Sequence, residues 1–245
     1  CESGYKLRLI GFSRTHLDSD LEEFAHILRA HGADYLSEPI IDDSGDRHYS
    51  ARMLISEPKN LVRWIHDADL ISDRIEVQSL GKSLEIIKDV GDSGAVADKH
   101  GVREMMGTHG LGHARLATES SVLPTASHPF WARPFPDIAI VHNGQITNYW
   151  KMRRALESKG FEFGTENDSE LIAVFLAERL SRGVALQDAL AESIEELDGT
   201  FSFLVSTRDE LGYAKDHLAA KPMVKHESEE LVAIASEEVS LNRLF

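Results

Sequence analysis

The hydrophobic pattern of residues 5–80 changes period repeatedly, and that succession narrows the folds open to the chain. Residues 5–12 alternate roughly between apolar and polar and predict a strand. Asp18-Ser19-Asp20 then offers a cap for a helix over 20–31, with Leu21, Phe24, Ala25 and Leu28 on one face and Gly32 as its stop. Residues 33–41 and 48–56 predict strands on either side of a turn, Asp42-Asp43-Ser44-Gly45-Asp46. Pro58 stands where it would open a helix over 58–68, with Leu61, Trp64, Ile65 and Ala68 on one side. Residues 72–80 predict a further strand.

The resulting order, β-α-β-β-α-β, is the ferredoxin-like order. No catalytic cluster shows within it, so a packing or docking subdomain is its plainest use. Beyond residue 80 the pattern changes. A strand is expected over 84–90, a short helix over 93–100, and buried strands over 111–117 and 137–142, joined by a loop carrying Pro124, Pro129, Pro134 and Pro136. Asn148 is placed to cap a helix over 149–159, closed by Gly160. Asp168 opens a helix to Arg182, closed by Gly183, and Val184–Leu197 reads as another. Strands follow over 200–207, 211–216, 222–225 and 231–236. Helices flanked by runs of antiparallel strands make this an α+β chain.

Three short motifs carry the chemistry: Gly-His-Ala-Arg-Leu-Ala-Thr at 112–118, Val-His-Asn-Gly at 141–144, and Thr-Glu-Asn-Asp-Ser-Glu at 165–170. Each has an ordinary explanation. Arg115 suits a surface ion pair, Thr118 a strand end, Asn143-Gly144 a turn, and Asp168 a helix cap. Each also has a chemical use. A guanidinium grips a carboxylate through two parallel hydrogen bonds. A side-chain amide beside a glycine N–H can face a developing oxyanion, because the backbone approaches closely where no Cβ intervenes.

In this order and spacing, the motifs closely resemble the glutamine-binding half of class II glutamine amidotransferases, whose nucleophile is an N-terminal cysteine. Cys1 is the chain's single cysteine. The resemblance runs from about Leu84 to Phe245 and takes in Asp198-Gly199-Thr200-Phe201-Ser202-Phe203, Asp216 with Ala220-Lys221-Pro222, and Ile234-Ala235-Ser236-Glu237. It implies an Ntn-hydrolase-type four-layer α-β-β-α sandwich over 81–245, with 1–80 holding a strand and the ferredoxin-like subdomain as an insertion. It also implies roles: Arg115 and Thr118 for the glutamine α-carboxylate, Asp168 for its ammonium, Asn143 and Gly144 for the oxyanion, and Cys1 as nucleophile with its own α-amino group as base. An α-amino group titrates near 8, close enough to neutrality to shuttle a proton. Family members normally open Cys-Gly-Ile/Val. Here Cys1-Glu2-Ser3-Gly4-Tyr5 looks more like the family's later Pro-Asp-Ser-x-Gly segment. On that alignment the nucleophile and first strand–helix unit lie upstream.

The details, including Ala-Thr-Glu-Ser after the arginine, look most like the amidotransferase subunit of glutamate-synthase-like and N-methylglutamate-synthase-like complexes. The implied partners are L-glutamine and a synthase subunit or domain receiving ammonia, in an oligomer or hetero-complex, with no cofactor. A net charge of −15 argues against nucleic acid or an anionic membrane. No apolar run approaches a membrane span. A lone cysteine cannot form an internal disulfide, which makes the cytoplasm the simplest location. The 12 histidines are scattered, without a paired motif such as His-Glu-x-x-His, so no metal is expected. Two other functions compete: an amidotransferase-like subunit that binds glutamine without turnover, and a small-molecule sensor built on the ferredoxin-like segment.

Overall fold

A computed structural model of the chain describes residues 4–43, 48–71, 74–115, 124 and 127–244. The first six elements are β1 (Tyr5–Gly11), α1 (Leu17–Ala30), β2 (Ile40–Asp43), β3 (Tyr49–Ile55), α2 (Leu61–Asp69) and β4 (Ile75–Gly81). They form one antiparallel sheet in the order β2-β3-β1-β4, as the β-α-β-β-α-β pattern requires. Leu7, Leu9, Ala51, Met53 and Ile55 share a core with Phe24 and Leu28 of α1 and Trp64 and Ile65 of α2. Full burial of each large apolar side chain contributes about 1.5–3 kcal/mol. Asn60, whose side chain accepts from Arg63 N–H at 3.0 Å, caps α2. The helix therefore begins three residues after Pro58 rather than at it.

α3 (Ser93–Lys99) follows, capped by Asp92. A second antiparallel sheet, in the order β5-β6-β7-β8, then contains β5 (Phe130–Trp131), β6 (Ala139–Ile146), β7 (Gly199–Ser206) and β8 (Leu211–Lys215). Between β6 and β7 run α4 (Tyr149–Glu157), α5 (Asp168–Ser181) and α6 (Leu186–Glu196). They cover the face bearing Ile140, Phe201, Phe203 and Val205. α5 is buried from Ser169 to Arg179, because its Leu-Ile-Ala-Val-Phe-Leu-Ala run is apolar on every side. Each four-stranded sheet thus has one helical layer. β9 (Val224–Glu227) and β10 (Val232–Ala235) form a separate hairpin, followed by α7 (Glu238–Leu241).

Several expected elements differ. Residues 84–90 form no strand. Asp137 accepts the backbone N–H groups of Lys82, Ser83 and Leu84 at 3.0, 2.8 and 2.8 Å, and Ser79 Oγ accepts that of Ile86 at 3.3 Å. Side chains thus take donors that a ladder would have used. Residues 111–115 are irregular and mostly exposed, not a buried strand, since no strand pairs with them. Between 33 and 39 only Tyr35 makes a bridge, to Ile55.

Candidate functional site

The site is organised by the end of β6 and the start of α5. β6 pairs with β7 so that Asn143 faces Ser202 and Gly144 faces Phe201. Gly144 has φ 140°, and a Cβ there would lie 2.0 Å from Thr200 O. Gly199, which pairs with Ile146 two residues further along β6, has φ 139° and would bring a Cβ within 2.0 Å of Gln145 O. The two strands can close up at this point only where side chains are absent. Asn143 is exposed, whereas His142 before it is buried on the helical side.

Asp168 is the first residue of α5 and does not cap it. The cap is Asn167, whose side-chain oxygen accepts from Ser169 N–H at 2.8 Å. This frees the Asp168 carboxylate. One oxygen accepts Ile146 N–H at 3.0 Å, and the other lies 3.5 Å from His142 Nδ1. Burial, the largest influence, pushes the carboxyl pKa up. The hydrogen bond and charge of His142 and the Ile146 N–H outweigh it, and the net shift is downward. Asp168 is therefore an anion at neutral pH, a quarter exposed. It borders an open cleft of about 370 Å³ with Gln145, Ile146, Thr147, Tyr149, Glu166 and Asn167. Asn143, Gly144 and Arg115 do not line that cleft.

A histidine cluster supports this corner. Ser169 Oγ lies 3.0 Å from His142 Nδ1 and 2.8 Å from His128 Nε2. His113 stacks on His128, with ring centroids 4.1 Å apart. Burial, then the charges of His113, His142 and Lys88, push His128 down to about 3, against the pull of Asp168. His128 is thus neutral, and a consistent proton arrangement follows. His142 Nδ1–H donates toward Ser169 and Asp168, and Ser169 donates to His128 Nε2. His113 is also shifted downward, first by burial and then by His142 and Arg115. Arg115 is exposed and its charge acts on this cluster through His113.

Asp168 thus meets β6 at Ile146, two residues beyond Gly144. Asn143 and Gly144 share that strand without lining the cleft, and Arg115 is near enough for its charge to act on His113. Thr118 and Cys1 lie outside the described residues. The expectations missed His142, Ser169, His128 and His113 as a group. One signal was available: a histidine directly after the apolar run Ile138–Val141. Among the described residues, no group of His, Cys, Asp or Glu side chains is arranged to hold a metal ion.

The sequence profile of the glutamine amidotransferase domain matches residues 113–243, more than half the chain, and the chain belongs to that family. Among individual relatives, it is 44% identical to a protein of Methanothermobacter thermautotrophicus that carries the provisional name glutamine amidotransferase, over 80% of this chain and 64% of the other. It is 39% identical to the glutamine amidotransferase-like protein GlxB of Rhizobium meliloti, over 66% and 54% of the two chains. It is 31% identical to the amidophosphoribosyltransferase of Methanocaldococcus jannaschii, over 67% and 35%. The chain thus spans roughly a third to two thirds of the length of these relatives. A solved glutamine phosphoribosylpyrophosphate amidotransferase from B. subtilis superposes on 97% of the chain and 43% of its own, at 18% identity and a TM-score of 0.46. No helix among the described residues is long and apolar enough to cross a membrane.

Proposed function

We propose that the protein is a class II glutamine amidotransferase unit that hydrolyses L-glutamine to glutamate and passes ammonia to a glutamate-synthase-like partner in the cytoplasm. The observation that carries this reading is Asp168. Its carboxylate is ionised, anchored by Ile146 N–H and His142, and still open to a cleft. A substrate ammonium would complete its coordination. Arg115 and Thr118 would take the α-carboxylate, and the Asn143 amide and Gly144 N–H the oxyanion. Each such oxyanion donor contributes about 3 kcal/mol in the transition state.

In the reaction, the Cys1 thiolate adds to the side-chain carbonyl carbon. The tetrahedral intermediate collapses as protonated nitrogen leaves as ammonia. Water then cleaves the thioester, giving glutamate and the free thiol. Labelling with a glutamine-analogue electrophile, read by intact mass, tests the assignment. A stoichiometric adduct on the single cysteine, blocked by glutamine, supports turnover by this chain. A folded chain that binds glutamine and takes no label would show that Cys1 is not the nucleophile.

A further inference from the structure

A cavity of about 170 Å³ lies between α2 and the segments 133–135 and 160–164, apart from the Asp168 cleft. Its walls are mainly apolar. Val62 and Ile65 are its apolar part on α2, beside His66 and Asp69, and Phe135, Phe161 and Phe163 its apolar part on the other side. The rings of Phe135 and Phe161 lie 5.7 Å apart, and Phe163 already carries the Arg153 guanidinium 4.8 Å from its centroid. A cavity near 150 Å³ with such walls holds a molecule of about benzene size. Drug-sized ligands need roughly twice this volume or more.

The charges of the lining set the sign of the ligand. Arg133 contributes the one guanidinium. It already pairs with Asp69 and lies 4.0 Å from Glu76. Glu162 also lines the cavity and forms no ion pair among the described residues. The lining carboxylates are Asp69 and Glu162, and the lining also holds the His66 imidazole, 3.4 Å from the Asp67 carboxylate. With that imidazole neutral, two carboxylates against one guanidinium leave the lining negative, and aromatic faces add to its affinity for a cation.

We propose that this cavity is a binding site for a small organic cation, a primary amine on a body of about one aromatic ring. Its occupancy would be felt at Asp168. Gly164 N–H, Thr165 N–H and Thr165 Oγ donate to the Glu170 carboxylate at 2.8, 2.7 and 2.6 Å, and Asn167 N–H donates to Thr165 Oγ at 3.1 Å. The cavity wall and the start of α5 are therefore one hydrogen-bonded turn. Coupling to glutamine rests on the function proposed above; binding of the amine does not.

Titration calorimetry of the full chain with 2-phenylethylamine tests the site without any use of glutamine. Saturable binding is expected, with 3-phenylpropionate at least about tenfold weaker. Val62→Trp, at an exposed position on the cavity wall, should abolish binding while leaving the circular dichroism and melting curve intact. Glu162→Gln should weaken binding about tenfold. No saturable heat up to about 10 mM amine, a preference for the carboxylate, or undiminished binding by folded Val62→Trp overturns the proposal. A saturating amine should also change the glutamine dissociation constant by about fivefold or more. An unchanged constant in a chain that binds both ligands overturns the coupling.

Discussion

The two four-stranded sheets use polar residues in different ways. Behind β1–β4, Arg8 is fully buried and bonds Asp42 at 2.8 Å, Ser50 at 3.1 Å and Glu85 at 2.6 Å. His100 spans Asp42 and Asp89 at 3.3 and 2.9 Å, and Lys99 reaches Asp89 at 2.8 Å. Nearly every charge there meets another charge of the chain. At the end of β6 the opposite holds. Asp168 keeps part of its carboxylate toward a cleft, and Asn143 is exposed. Buried charges paired with each other fix the geometry of the chain. A charge held in place with lone pairs to spare is equipped for a ligand.

The sharpest break of this contrast is Arg8→Ala. It removes the Arg8 partner of Glu85, leaves Asp42 with its longer contacts to His100 and Arg52, and should cost about 3–5 kcal/mol of stability by urea denaturation. A loss below about 1 kcal/mol would mean that the network is ornamental. Next comes Gly144→Ala, at φ 140° with Thr200 O in the way. A cost of about 1–3 kcal/mol is expected, with glutamine affinity reduced in the molecules that remain folded. A smaller loss, about 1 kcal/mol, is expected for Asn148→Ala. Its amide joins the start of α4 to the end of α6 by donating to Glu196 O at 2.9 Å and accepting Asp198 N–H at 3.1 Å.

The smallest effect is a pH window. The folded-state pKa of Asp168 is depressed, so its stabilising contribution is present above the ordinary value of 3.8 and is lost as pH falls through the lower folded value. The stability difference between wild type and Asp168→Asn should therefore stay constant down to about pH 4 and shrink only below it. A difference that fades already between about pH 5 and 6 would show that His142 and Ile146 do not hold the carboxylate in its charged form.

How much of this was legible in the sequence differs between the two sheets for the same physical reason. Period-two and period-3.6 patterns report burial on one face, and that was enough for β1, α1, β3, α2 and β4 and their order. Residues 84–90 have the apolar content of a strand, yet Asp137, 53 residues away, takes the Leu84 N–H and Ser79 Oγ takes that of Ile86. No local pattern reveals that. Asn148 and Asp168 both stood where caps belong, but the side chain of Asn148 serves α6 and that of Asp168 serves β6. The histidine cluster joins positions 27 and 41 residues apart through one serine hydroxyl. Only the fold brings those together.

As proposed above, the Asp168 corner at the β6–α5 junction is a glutamine site. Calorimetric titration of L-glutamine into wild type, Arg115→Ala and Asp168→Ala tests it most directly. Saturable binding to the wild type is expected, with each variant weakened by about 2–5 kcal/mol because a substrate charge would lose its partner. Equal glutamine affinity in all three folded proteins would contradict it.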